Sequence, residues 1–158
     1  MKAVTIKEIK TELQHLSNEE LVNVCLQLAK FKKENKELLT YTLFEAANEE
    51  GFIETVKSEA DILFDSINTN SYFYIKKSVR KIVRILKTNI RYSKKKETEI
   101  ELLLYFCKKM LEIKPSIKNN VTLKNIYLRE KLAIKKKLTS VHEDLQYDYT
   151  QQLSILSL

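Results

Sequence analysis

One glycine, Gly51, and one proline, Pro115, are all that punctuate 158 residues, and this scarcity constrains the fold more than any other feature. Average usage is about 7% and about 5%. Glycine supplies the positive φ of tight turns and proline the stiff corners of loops, so strands, hairpins and phosphate-binding loops are poorly served by such a chain. Apolar residues recur instead at three- and four-residue spacing from Ile6 to Leu145, the mark of helices with one buried face. The fold class expected is all-α. About six helices joined by short polar turns would form an irregular bundle or two to three stacked antiparallel hairpins, in the manner of a HEAT-like α-solenoid fragment. No signature recurs at the HEAT period, so that analogy is one of shape. A single helical domain over 1–158 is expected, large enough for a core without disulfide or metal.

Local signals set the order of the helices. Thr5 with Glu8, and Ser17 with Glu20, are capping boxes that open the first two. Lys32 to Lys36 reads as a turn. The third segment, from about Glu37 to Ile67, is read as one long helix bent near Gly51, two helices broken there being the alternative. Asn68 to Ser71 is a polar break whose serine can cap the next helix. A densely apolar helix follows the lysines at 94–96 and is expected to be the most buried element; Pro115 ends it. Asn119-Asn120 marks a loop, and a last helix is expected from about Val121 to Tyr149. The final T-Q-Q-L-S-I-L-S-L is either frayed or docked.

Charge is segregated along the chain. Residues 1–66 carry 8 basic and 13 acidic side chains, residues 67–138 carry 20 and 5, and residues 139–158 carry none and 3, giving the formal net charge of +7. The basic excess is concentrated in Ser71 to Lys96, where ten lysines or arginines occur with no acid. At 100° per residue Tyr72, Ile75, Val79, Ile82, Val83, Leu86 and Ile90 fall on one arc, while Lys77, Arg80, Arg84, Lys87 and Arg91 fall opposite. Those five cations are the candidate face for an anion or a partner. Lysine abundance alone is weak evidence in a chain rich in Lys, Ile and Asn. Three of the four arginines on one face are stronger evidence. Acids such as Glu45, Glu49, Asp61 or Asp65 could instead neutralise the row. Tyr72, Phe73 and Tyr74 at the start of the same helix are read mainly as a hydrophobic anchor and secondarily as stacking platforms for single-stranded nucleic acid.

Catalytic chemistry finds little footing. Cys25 and Cys107 lie in apolar helical runs and read as buried free thiols. A di-iron bundle would need Glu-x-x-His pairs on two helices; Glu12 precedes His15 at that spacing but Thr139 precedes His142, so the second pair is missing, and no C-x-x-C, H-E-x-x-H, Walker loop, G-x-G-x-x-G or G-x-S-x-G is present. No enzymatic activity, metal or cofactor is expected. The charged amino terminus does not resemble a secretory signal, and no apolar run reaches membrane-spanning length, so a cytoplasmic location is expected.

The stretch L-S-N-E-E-L-V-N-V-C-L-Q-L-A-K-F-K-K-E-N-K-E-L-L-T-Y-T-L-F-E-A, Leu16 to Ala46, resembles the amino-terminal part of a family of uncharacterised small helical bacterial proteins. The resemblance implies a helical fold, names no activity and transfers no functional residue. The function expected first is therefore a noncatalytic helical protein-interaction module, with a protein as partner. The alternative is a nucleic-acid-binding protein that uses the basic helix 71–96 and the lysine-rich last helix. Membrane binding ranks last, and homo-oligomerisation is left open.

Overall fold

A computed structural model describes all 158 residues and contains eight α-helices and no strand. The all-α expectation holds, with two more helices than the six anticipated. They are α1 (Ile6–Leu13), α2 (Asn18–Phe31), α3 (Lys33–Thr40), α4 (Glu49–Asp65), α5 (Tyr72–Ser93), α6 (Lys96–Glu112), α7 (Val121–Leu138) and α8 (Glu143–Ile155). A π-helical turn at Tyr41–Glu45 follows α3, and a 3-10 turn at Ile117–Asn119 precedes α7. The chain divides into two compact units, Met1–Phe44 and Glu45–Leu158.

Residues 1–44 are organised by local hydrogen bonds. Both capping boxes form: Glu8 accepts from the Thr5 backbone N–H at 2.8 Å, and Glu20 from that of Ser17 at 2.7 Å. Helices α2 and α3 are joined through a single extended residue, Lys32, so the turn is shorter than the five residues expected. Asn35 Nδ2 clasps the junction by donating to the Leu28 carbonyl at 2.9 Å. No residue of α1, α2 or α3 is buried. Cys25 is exposed, contrary to expectation.

The additional helices arise from two breaks that carry no proline. The expected long third helix does not bend at Gly51; it stops at the π-turn and restarts at Glu49. Asn48 caps the restart, its side-chain oxygen accepting from the Gly51 N–H at 3.1 Å. A Cβ at position 51 would lie 2.5 Å from Asn48 Nδ2, so glycine here makes room for the cap rather than a kink. The second break, Thr139 to His142, separates α7 from α8, where His142 Nδ1 accepts from the Asp144 N–H.

In residues 45–158 the core is built around α6, which packs against α4, α5, α7 and α8. Thr98, Ile100, Leu102, Leu103, Leu104, Phe106, Cys107 and Met110 are all buried, which makes α6 the hub the sequence anticipates. The opposing arc of α5, with Ile75, Val79, Ile82, Val83 and Leu86, is buried too. At roughly 25 cal/mol per Å² of apolar surface, each such fully buried side chain contributes about 1.5–3 kcal/mol. The terminal segment is docked, with Leu153 and Leu156 buried and the Leu156 carbonyl accepting from Lys131 Nζ. No helix is long and apolar enough to cross a membrane.

Candidate anion-binding face

Helix α5 spans 22 residues, about 33 Å at 1.5 Å per residue. Its apolar arc is committed to the core, and this forces the opposite arc outward. Lys77, Arg80, Arg84, Lys87 and Arg91 are all exposed along it. Ser71 occupies the N-cap position but makes no side-chain cap bond. At the other end Lys94 takes the left-handed conformation, φ 58°, closing the helix through its N–H to the Ile90 carbonyl at 2.9 Å. That turn sets Lys94, Lys95 and Lys96 at the negative end of the helix dipole, where cations are favoured.

The acids named above do not neutralise the arginines. Glu49 is engaged by Ser93 Oγ and Thr98 Oγ1, each at 2.5 Å, and by Lys95 Nζ at 2.9 Å. Asp61 pairs with Lys109 at 2.7 Å and accepts from the Tyr105 hydroxyl. Those two donors hold the Asp61 carboxyl below its usual range, Lys109 contributing more than Tyr105. Lys77, Arg80, Arg84 and Arg91 form no ion pair; Arg91 makes one side-chain hydrogen bond, to Thr88 Oγ1 at 3.3 Å. Their charge is directed at solvent.

Lys87 differs from its neighbours. Its Nζ lies 3.0 Å from Glu130 Oε1, to which it donates, and 2.7 Å from Oε2, close enough for an ion pair but not aligned as a hydrogen bond. Glu130, on α7, is 0% exposed. The fourth arginine, Arg129, holds the same carboxylate through Nε and Nη2, both at 2.8 Å. One buried acid thus gathers a lysine from α5 and an arginine from α7, and both cations keep an exposed side. This joins α7 to the basic row. Sequence reading missed Glu130, because an isolated acid among lysines at 124–137 looks like a solvated surface charge.

The aromatic start of α5 also divides differently from the anchor reading. Tyr72 is the anchor, its hydroxyl donating to the Ser116 carbonyl at 2.8 Å. Phe73, 67% exposed, and Tyr74, 46% exposed, point outward and meet edge to face at 5.4 Å between centroids. On the helical wheel Phe73 falls within about 60° of Lys77, Arg80, Arg84 and Arg91. The outer face of α5 is therefore a stripe about 27 Å long, aromatic at its start and cationic along its length.

A concavity of about 520 Å³ lies beside α6 and α8 and is lined by Lys57, Glu101, Leu104, Tyr105, Tyr149 and Ile155 among others. Most of its polar groups are spent on one another. Glu101 binds Lys57 at 3.4 Å and accepts from Tyr149 at 3.1 Å. Burial, with Glu101 and other carboxylates, pushes the Tyr149 phenol up; burial and Asp61 do the same for Tyr105. Both therefore act as hydrogen-bond donors. Cys107 is buried, with its thiol pushed up to about 12 by burial and by the charge of Glu130, the opposite of what a nucleophile needs. No group of three or more His, Cys, Asp or Glu side chains is placed to hold a metal ion.

No protein-family model, curated protein or solved structure matches this chain.

Proposed function

We propose that the chain is a noncatalytic, cytoplasmic binding module whose outer α5 face, extended by Arg129, holds single-stranded nucleic acid. The observation that carries this reading is the unpaired row Lys77, Arg80, Arg84 and Arg91 in register with exposed Phe73. A strand with unstacked bases offers a phosphate for each cation and a π-face for the ring, the combination that sequence-tolerant single-strand binders use. A duplex fits less well, because the exposed Phe73 at one end of the cationic row serves unstacked bases, which a duplex does not present. The burial of α5's apolar arc weighs against a membrane surface, which would require that arc to be free. The HEAT-like stacking of α4 on α5 and α6 on α7 is part of the same proposal, as the scaffold that keeps the ridge straight.

The test is fluorescence anisotropy of a labelled oligonucleotide against wild type and the triple variant Arg80→Glu, Arg84→Glu, Arg91→Glu. The triple reversal should weaken binding by at least about a hundredfold, while the melting temperature stays put because none of the three pairs with an acid. Equal affinity of the two proteins, or no wild-type binding at physiological salt, would remove the proposal.

A protein partner is the second reading. One observation favours it: residues 1–44 expose apolar side chains on every helix. Crosslinking and pull-down of the full chain would decide it, and recovery of no specific protein would count against it.

A further inference from the structure

The concavity beside α6 and α8 lies wholly within residues 45–158, and its 520 Å³ falls in the range of about 300–1,000 Å³ usual for small-molecule sites. Four of its lining residues, Glu101, Leu104, Tyr105 and Lys108, share one face of α6, because spacings of three and four keep side chains within a narrow arc. Between Glu101 and Lys108, about 10 Å apart along the helix axis, the wall is apolar. Leu104 is 5% exposed and Leu156 is 7% exposed, while Ile155, at 79%, stands at the rim. The polar groups are unevenly engaged. Glu101 is the one acid; its Oε1 accepts from Tyr149 at 3.1 Å and its Oε2 faces Lys57 Nζ at 3.4 Å. Tyr105 donates to Asp61 and to the Lys57 carbonyl. Lys108 forms no ion pair and Gln152 no side-chain hydrogen bond, and both are exposed at the opening.

We propose that this concavity binds a medium-chain aliphatic carboxylate, its acid group on Lys108 and Gln152 and its chain laid along Leu104, Ile155 and Leu156. Charge complementarity selects the head group. A cationic head would find the one acid already held by Lys57 and Tyr149, and a neutral head would gain nothing from the Lys108 charge. A carboxylate gains an ion pair with the lysine and accepts a hydrogen bond from the Gln152 amide. One free cation suits one negative charge; a phosphate dianion would carry a second that no group here balances. The wall selects the tail. The three aliphatic side chains carry no polar atom, and the phenol oxygens of Tyr105 and Tyr149 are bonded elsewhere, so what the wall offers a ligand is apolar surface. That apolar stretch ends where Glu101 pairs with Lys57, which bounds the tail at about 10 Å, the length of an extended eight-carbon acid. None of these residues belongs to the α5 ridge, so the proposal does not rest on nucleic-acid binding.

Isothermal titration calorimetry of sodium octanoate into the full chain tests this. One octanoate should bind per chain, with a Kd below about 1 mM. Hexanoate should bind at least about fivefold more weakly, a buried methylene being worth a factor of about four. Decanoate should gain little over octanoate, because its last carbons pass the apolar stretch. Lys108→Glu should weaken octanoate at least about fivefold, since it turns an attraction into a repulsion. Far-UV circular dichroism should be unchanged, the lysine being exposed and paired with no acid. Should that variant fail to fold, Ile155→Asp, at a position 79% exposed, sets an anion against the ligand and should give the same loss. Absence of saturable binding up to about 1 mM, octanol or octylamine binding as tightly as octanoate, a decanoate that binds as much tighter again, or equal affinity in wild type and variant each overturns the proposal. So does loss of octanoate binding in the Arg80→Glu, Arg84→Glu, Arg91→Glu protein, which would place the acid on the α5 ridge. Retention there upholds this site, whatever becomes of the oligonucleotide.

Discussion

Removing the carboxylate of Glu130 should destabilise the protein through two helices at once. Glu130→Ala leaves a void and releases Lys87 and Arg129, which otherwise meet at one carboxylate with contacts of 2.7–3.0 Å. Breaking a buried ion pair costs about 3–5 kcal/mol when the orphaned charge stays buried. Here the orphans are the cations, whose side chains are 45% and 61% exposed and can return to water, so the low end, about 3 kcal/mol, is expected. For a chain of this size that lowers Tm by about 6–12 °C. Glu130→Gln keeps the shape and one acceptor and should cost about 1–2 kcal/mol. The double variant Glu130→Met, Lys87→Met removes the buried charge and one of its two partners, leaving Arg129, 61% exposed, to return to water, and should recover most of the alanine loss. Urea denaturation followed by circular dichroism measures all three. If alanine and glutamine both fall within about 0.5 kcal/mol of wild type, as ordinary surface positions do, the carboxylate does not hold α5 to α7.

Four further outcomes follow from the same geometry. Phe106→Ala, at 0% exposure and 6.0 Å from the Phe64 ring, should cost about 3–5 kcal/mol in urea melts; a loss under 1 kcal/mol would place that face at the surface. Gly51→Ala should be nearly neutral in wild type, where it displaces the Asn48 cap, yet stabilise the Asn48→Ala background by up to about 1 kcal/mol; equal effects in both backgrounds would dissociate glycine from the cap. Alkaline stability should decline between pH 9 and 12. The Cys107 thiol, 9.0 when free, is pushed up to about 12, and the Tyr127 phenol, 10.0 when free, to about 12. The unfolded chain therefore releases these protons first and gains stability as pH rises; Cys107→Ala should flatten the decline, and an unchanged slope would refute the assignment. Phe73→Ala should weaken oligonucleotide binding roughly 5- to 150-fold, the value of one stacked base, with Tm unchanged; no change would take the ring out of the site.

How much of this was legible in the sequence depended on whether the signal was local. The capping boxes at Thr5 and Ser17, the stop before Pro115 and the two arcs of α5 depend on residues a few positions apart, and all are present. The break before α4 was hidden because Asn48 sits between Ala47 and Glu49 in a run that reads as continuous helix, and the one glycine drew attention three residues too late. The α7–α8 break is marked only by Thr139, Ser140 and His142, weak stops without proline. Glu130 needed tertiary contact to be seen: nothing in K-N-I-Y-L-R-E-K says that one acid is buried and shared. An apolar run on α2 reads the same whether the chain covers it or leaves it open, and Cys25, expected to be buried, is exposed.

The salt dependence of oligonucleotide binding by the wild-type protein tests the central claim most directly, because it counts phosphates rather than inferring them. Four cations on the outer face of α5, Lys77, Arg80, Arg84 and Arg91, are exposed and pair with no acid. At about 0.7 counterions released per single-strand phosphate, the logarithm of the association constant should fall against the logarithm of salt with a slope near about −2.8. Reversal of Arg80, Arg84 and Arg91 should bring that slope to about −0.7 if residual binding is measurable. A wild-type slope near zero, or the same slope in wild type and variant, would show that the outer face of α5 does not hold the strand.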